Sequence, residues 1–392
     1  MQEDFHYYAT YCAAYLAGHS HEESLTIAYF AQYVDCCSLS QITKVNGPPA
    51  AATTQTQIEL ADARTDILGL QSITRIWSSF HFLPAKLYEN YPKFRFNRWL
   101  RKYRLICDTN SELLVDTVRL ANGQSLPARG LAMHVLADTW AHRYFAGTPS
   151  FAINNAIDFY EITTEDGKET ESRVLFNHNP VAGDNPELHV YANSIYVSNE
   201  HSIMNLGHGR AGHLPDYSYA RYKFLPAWGE YSYIFKDNPS DYLHAFCQMI
   251  YALKYLRGEH SDFCTDVYDW DAVAGYKDEI MAFLEKKQLN ASADWKAFGE
   301  KLSGQEIEIF NVTKYEDEYT EASKEDKDNT LLGKFYVAAL AQKSLVTNKI
   351  YKSGNLLAGY SLDYEKFGFI GIKDFHILAK FRHKKEQEDD AV

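Results

Sequence analysis

His134, Asp138 and His142 stand four residues apart, twice in succession, in the stretch His134-Val-Leu-Ala-Asp138-Thr-Trp-Ala-His142. A four-residue step in an α-helix rises about 6 Å and overshoots a full turn by about 40°. The three side chains therefore climb one face as a ladder. Imidazole and carboxylate are ligands of zinc and related metals, and a carboxylate between two histidines can bridge two ions at roughly 3.5–4 Å. Further ligands are offered by Asp4 and His6, by Asp35, by His81, and by the loop Gly207-His208-Gly-Arg210-Ala-Gly-His213-Leu-Pro-Asp216. Glycines in that loop let the backbone come close to an ion. Between His208 and His213 the flanking glycines favour His208, and Asp216 also suits a turn after Pro215. The remaining histidines, His19 and His244 among them, read as ordinary polar residues.

The elements that must position these groups follow from local pattern. Residues 3–17 and 22–38 read as two helices, with Ser20 and Glu23 at the spacing of a capping box. His6 and Asp35 each share a helix face with small residues, which lets the helices approach. Residues 45–57 read as a surface loop, and Trp77-Ser-Ser-Phe-His81-Phe-Leu-Pro84 as irregular or extended. A helix is expected over 110–121. The ladder helix starts after Ser125, with Pro127 in its first turn, and stops near Gly147. Turn signals at Asp166-Gly167 and Asn185-Pro186, with alternation over 188–197, mark a β-containing excursion at about 150–200. Helices follow near 238–257, 274–287, 291–302 and 326–347, and a charged, disordered tail closes the chain at 384–392.

Composition narrows the function. Hydrophobic residues make up 46% of the 392, enough for a substantial core. The net charge of −13 argues against a duplex nucleic acid as partner, although bound metal can reverse the local field for a phosphate. No signal peptide or membrane-spanning run is seen, so the expectation is a cytoplasmic protein, with leaderless export as the other route. Six cysteines without C-x-x-C spacing indicate neither a zinc knuckle nor a disulfide framework. The basic run 93–104 reads as a solvated helix face, its alternative being a peripheral contact with anionic lipid. The 29 Tyr and 22 Phe suit cleft walls.

On these residues the chain resembles the zinc-dependent phospholipase C family, whose superfamily includes the S1/P1-type nucleases. Phe5-His6-Tyr, Ala13-Ala-x-x-Ala17-Gly18, Ile27-Ala28 and Val34-Asp35 are similar to that family's first two helices, where a histidine and a later aspartate bind zinc. His134-x-x-x-Asp138 is similar to its core helix, whose aspartate bridges two ions. The likeness covers about the first 40 residues and 130–145; His81 and the 205–218 loop agree in order alone. The chain departs from the family in lacking a later His-x-x-x-Glu helix. It looks closer to a bacterial branch than to the secreted enzymes.

The resemblance implies a mainly α, multi-helix bundle forming one domain over 1–392, with a small β-containing insertion and two or three zinc ions. One ion would take Asp35, His81, His134 and Asp138. A second would take His6 and Asp138, with Asp4 or the N-terminal region. A third would take His142 with His208, His213 or Asp216. The implied reaction is phospholipase C-like hydrolysis of a phosphodiester by zinc-bound hydroxide. Asp35 would hold or deprotonate the water, and Arg210 would clamp a phosphate oxygen. The alternatives are an S1/P1-like nuclease or nucleotidase, and a non-catalytic, metal-stabilised binding protein.

Overall fold

The computed structural model describes residues 1–56, 58–60, 67–88, 105–148, 151–165, 167–177, 183–193, 207–226 and 232–355. The chain begins with a π-helical turn, Asp4–Ala9, that runs into α1 (Thr10–Leu16). Gly18, at φ +85°, makes the left-handed turn that a side chain would resist. Ser20 and Glu23 then close a reciprocal capping box on α2 (His21–Cys36). Next come α3 (Ile67–Phe80) and α4 (Leu126–Ala141), the ladder helix. After the strands follow α5 (Asn238–Leu256), α6 (Ser292–Ser303) and α7 (Leu331–Lys352).

α4 is apolar on almost every side, and from Gly130 to Ala141 every residue is buried. Such a helix must be surrounded, and α2, α5 and α7 pack on it. Gly130 permits the closest approach, because a Cβ there would lie 2.4 Å from the Ile27 carbonyl oxygen on α2. That contact sits one turn before His134 and brings its ring to the α2 backbone.

Strands β1 (Ala156–Glu165), β2 (Lys168–Arg173), β5 (Arg221–Pro226) and β6 (Ile234–Asp237) form an antiparallel sheet in the order β2-β1-β5-β6. A separate parallel pair joins β3 (Leu175–Asn177) to β4 (Val190–Ala192). The inner face of the sheet carries its own aromatic core, with Phe145, Phe159, Tyr191, Tyr222 and Phe224. The helices enclose a second, larger core. The chain crosses between the two at Phe80-His81-Phe82, whose phenylalanines belong to opposite cores.

Several expectations are corrected. The architecture is mixed α and β rather than mainly α, because six strands in two sheets stand beside the helices. The β structure is not confined to 150–200 either: β5 and β6 lie beyond it, and β5 alternates half-buried and buried residues as a one-sided strand does. Residues 77–80 are the last turn of α3, not an extended stretch. Loop 45–57 is not a surface loop throughout, since Ala51, Ala52 and Thr53 are buried. α4 stops at Ala141, so His142 is its C-cap rather than a residue within it. The run 93–104, the end of the 188–197 alternation and the tail at 384–392 fall outside the described residues. Among the described residues no helix is long and apolar enough to cross a membrane.

Candidate metal centre

The π-turn, the end of α2, the end of α3, the ladder of α4 and the 207–216 loop converge on one buried polar cluster. Three sets of side chains in it have the spacing to hold a metal ion: His6, His134 and Asp138; Asp35, His81 and His134; and His142, His208 and Asp216. Asp138 lies at the middle. Its Oδ1 stands 3.1 Å from His6 Nε2, while its Oδ2 stands 3.1 Å from His81 Nδ1 and 3.2 Å from His134 Nε2. Asp35 reaches the same rings from the other side, 3.7 Å from His81 Nδ1 and 3.9 Å from both His134 Nε2 and His6 Nε2. It is also the most open of these groups, its side chain 30% exposed against 0–3% for the others.

Backbone carbonyls fix the imidazoles from behind. His134 Nδ1 donates to Ala31 O at 2.9 Å, His81 Nε2 to Thr53 O at 2.9 Å and His142 Nδ1 to His81 O at 2.7 Å. A carbonyl can only accept, so each contact places a proton on the nitrogen that faces it, and in the neutral ring the other nitrogen offers its lone pair inward. Metal-binding histidines are held in this way. His6 lies in the π-turn with its ring stacked on that of His134, centroids 3.9 Å apart. Both its ring nitrogens are buried without a hydrogen-bond partner, the Asp138 contact lacking hydrogen-bond alignment. An orphaned imidazole of this kind is costly in a closed interior. Neutral nitrogens and carboxylates around one centre therefore fit a divalent ion.

The electrostatics agree. Burial pushes His6, His134 and His142 down to about 4, keeping them neutral at pH 7. Burial opposes charge on Asp138 too, yet His142, the Met1 amine, His134 and His6 outweigh it and hold the carboxyl well below its usual range. For Asp216 burial is likewise outweighed by His208, the amine and His142. His81 alone among the inner imidazoles is raised: burial disfavours its charge, but Asp138 and Asp35 prevail. The cluster already draws one cation. The Met1 amine lies 2.8 Å from Asp138 Oδ1, 3.2 Å from Asp216 Oδ1 and 3.3 Å from His142 Nε2. Burial lowers its pKa, but Asp138, Asp216 and Asp35 lift it to about 11.

Of the residues singled out from the sequence, His6, Asp35, His81, His134, Asp138, His142, His208 and Asp216 all meet here. Asp4 does not: its carboxylate accepts from the backbone of Phe5 at 2.7 Å and of Ala291 at 2.9 Å. His213 reaches Asp216 Oδ2 at 3.3 Å, but its side chain is 58% exposed against 19% for His208, and it lies outside the three sets. Arg210 shares the short helix Gly207–Ala211 with His208. The carbonyls of Ala31 and Thr53 were not legible in the sequence, because nothing in a residue's type marks its carbonyl for such a role.

The molecule is thus a mixed helix–sheet protein built around a buried histidine–aspartate centre that can hold metal ions. It belongs to DUF6765, a family of unknown function whose model matches residues 1–350. No curated protein and no solved structure matches the chain.

Proposed function

We propose that the chain is a metal-dependent phosphodiester hydrolase, phospholipase C-like, that works with two or three zinc ions. One observation carries the reading: Asp138 turns one oxygen to His6 and the other to His81 and His134, as a carboxylate shared by two ions does. Zinc suits a donor set of imidazoles and carboxylates better than magnesium or calcium, which prefer oxygen alone. When bound, the ions would lower the pKa of water toward neutrality and neutralise charge on a phosphate. Asp35, the open carboxylate, orients the attacking water or takes its proton; burial raises its pKa, the direction a base requires. Arg210, two residues from His208, clamps a phosphate oxygen.

The burial of His6, His134 and Asp138 favours a second reading, a closed metal site in a non-catalytic binding protein. The two separate in one experiment. Zinc-loaded full-length chain is assayed on phosphatidylcholine vesicles, single-stranded DNA and bis-p-nitrophenyl phosphate. Hydrolysis of phosphatidylcholine supports the first reading, and turnover of DNA alone moves it to the nuclease class. Retention of about two ions with no turnover supports the second, since structural zinc is closed and catalytic zinc keeps an open position. Fewer than about one ion per chain overturns both.

A further inference from the structure

Lys236 is an unusual residue for its place. It sits on β6, paired in register with Tyr222, where its neighbour Phe235 faces outward and Lys236 faces in. Only 2% of it is exposed. Lysines are almost never buried unless paired, and this one has two partners. Its ammonium forms an ion pair with Asp241, and it donates to the Trp140 carbonyl at 2.7 Å. Trp140 O belongs to the last turn of α4, whose carbonyls have no partner within the helix. A cation there is favoured by both hydrogen bond and helix dipole. His142, two residues on, leaves the helix from this capped end at φ −89° and ψ 12°.

Two residues after Lys236, Asn238 grips the other side of the same metal set. It is fully buried, and its Nδ2 donates to the carbonyls of Leu214 and Tyr217 at 2.8 Å each, with Pro215 O at 3.4 Å. Those residues bracket Asp216. Tyr242 adds a hydrogen bond to Pro215 O at 3.2 Å. The junction of β6 and α5 therefore holds the carrier of His142 with one residue and the carrier of Asp216 with the other. His142 Nε2 and Asp216 Oδ1 stand 3.3 Å apart between them.

We infer that Lys236 and Asn238 are positioning residues that set the spacing of His142 and Asp216, and with it the affinity of the His142–His208–Asp216 set for a metal ion. This rests on the metal-centre reading above. Neither residue touches an ion. They act through Trp140 O and the Leu214–Tyr217 backbone, as supporting contacts that orient ligands do.

The test is cobalt(II) and zinc titration of the full-length chain, read by elemental analysis and by the cobalt absorption spectrum. The double variant Lys236→Met/Asp241→Asn avoids leaving Asp241 as an unpaired charge, and Asn238→Ser removes the amide donors with Lys236 intact. Both variants are expected to lose one equivalent selectively, its affinity falling about 10–100-fold, while the other ions bind as before. An unchanged number of equivalents with unchanged affinity in both variants overturns the inference and leaves the metal centre standing. Uniform weakening of every equivalent also overturns it, because that is the mark of a general loss of structure. If the unaltered chain binds no ion, the metal-centre reading falls and takes this one with it. Should the double variant fail to fold, Asn238→Ser alone decides.

Discussion

The two halves of the cluster are built in opposite ways. His6, Asp35, His81, His134 and Asp138 come from helices or the turns that end them, and apart from Asp35 they are sealed. The orientation of His134 and His81 is supplied by carbonyls of α2 and of the Thr53 loop. His208, His213 and Asp216 come from a short helix and turn; the two imidazoles are more open to solvent, and the backbone on either side of Asp216 is held by the β6–α5 junction. Groups on packed helices are preorganised by the core, whereas groups on a loop are only as well placed as the residues that tether it. The helix-borne half should therefore bind its ions more tightly and resist perturbation, and the loop-borne half should be the one that can be lost alone.

The largest effect that could break this contrast is expected from Asp138→Asn. It removes the carboxylate that lies between His6 on one side and His81 and His134 on the other, so metal content should fall by at least one ion per chain and turnover should be abolished. Elemental analysis beside an activity assay checks this; full metal content would deny Asp138 its bridging place. Asp35→Asn comes next, expected to keep the metal but lower turnover by about 10²–10⁴-fold. Metal loss in step with activity would make Asp35 a ligand only.

The loop-borne half is sharpened by a pair of changes. His208→Ala should lose the loop-borne ion, while His213→Ala, acting through Asp216, should weaken it by about 10–100-fold. Competition against a calibrated chelator separates the two, and the reverse order would exchange their roles. A packing change should follow, comparable in free energy. Gly130→Ala forces a methyl against the Ile27 carbonyl and should cost about 1–3 kcal/mol in thermal or denaturant unfolding. A neutral result would mean that α2 and α4 can separate without consequence for His134.

An effect of similar size is expected on acid stability. Burial lowers His19 to about 4 from 6.5, with Arg129 adding to the shift. The unfolded chain takes up a proton below 6.5 while the folded chain refuses it until about 4. Stability is therefore fully present above 6.5 and falls as the pH drops through that window, by about 3 kcal/mol at most from this one residue. His19→Gln should flatten the dependence of unfolding free energy on pH between 4 and 6.5 in metal-free protein; an unchanged slope would show that the ring charges freely.

Much of the site was legible because its chemistry is concentrated in residue types and spacing. Ser20 and Glu23 announced α2, and the four-residue steps put His134 and Asp138 on one face. What escaped was whatever depends on distant packing. His142 reads as a third helical rung, yet the helix ends before it, at a last turn whose Trp140 carbonyl accepts from Lys236, 96 residues later. The Pro- and Ala-rich 45–57 stretch reads as surface, but its Thr53 carbonyl is needed under His81. β5 and β6 escaped because each is short, and the pairing of β5 with β1, on which β6 then builds, spans more than 55 residues. His19 was read as an ordinary polar residue and is buried.

The crossing of the chain between two cores at Phe80-His81-Phe82 has a consequence for how the molecule comes apart. Candidate ligands lie on both sides of that seam, and an ion held by His142, His208 and Asp216 would act as a cross-link, tying the end of α4 to the loop before β5 through contacts that no peptide bond supplies. Closing loops of such length removes entropy from the unfolded chain. Loaded with metal, the helical body and the sheet would melt together in a single calorimetric transition. Stripped by a chelator, they would be free to do so as two cooperative units, the sheet with its smaller core first.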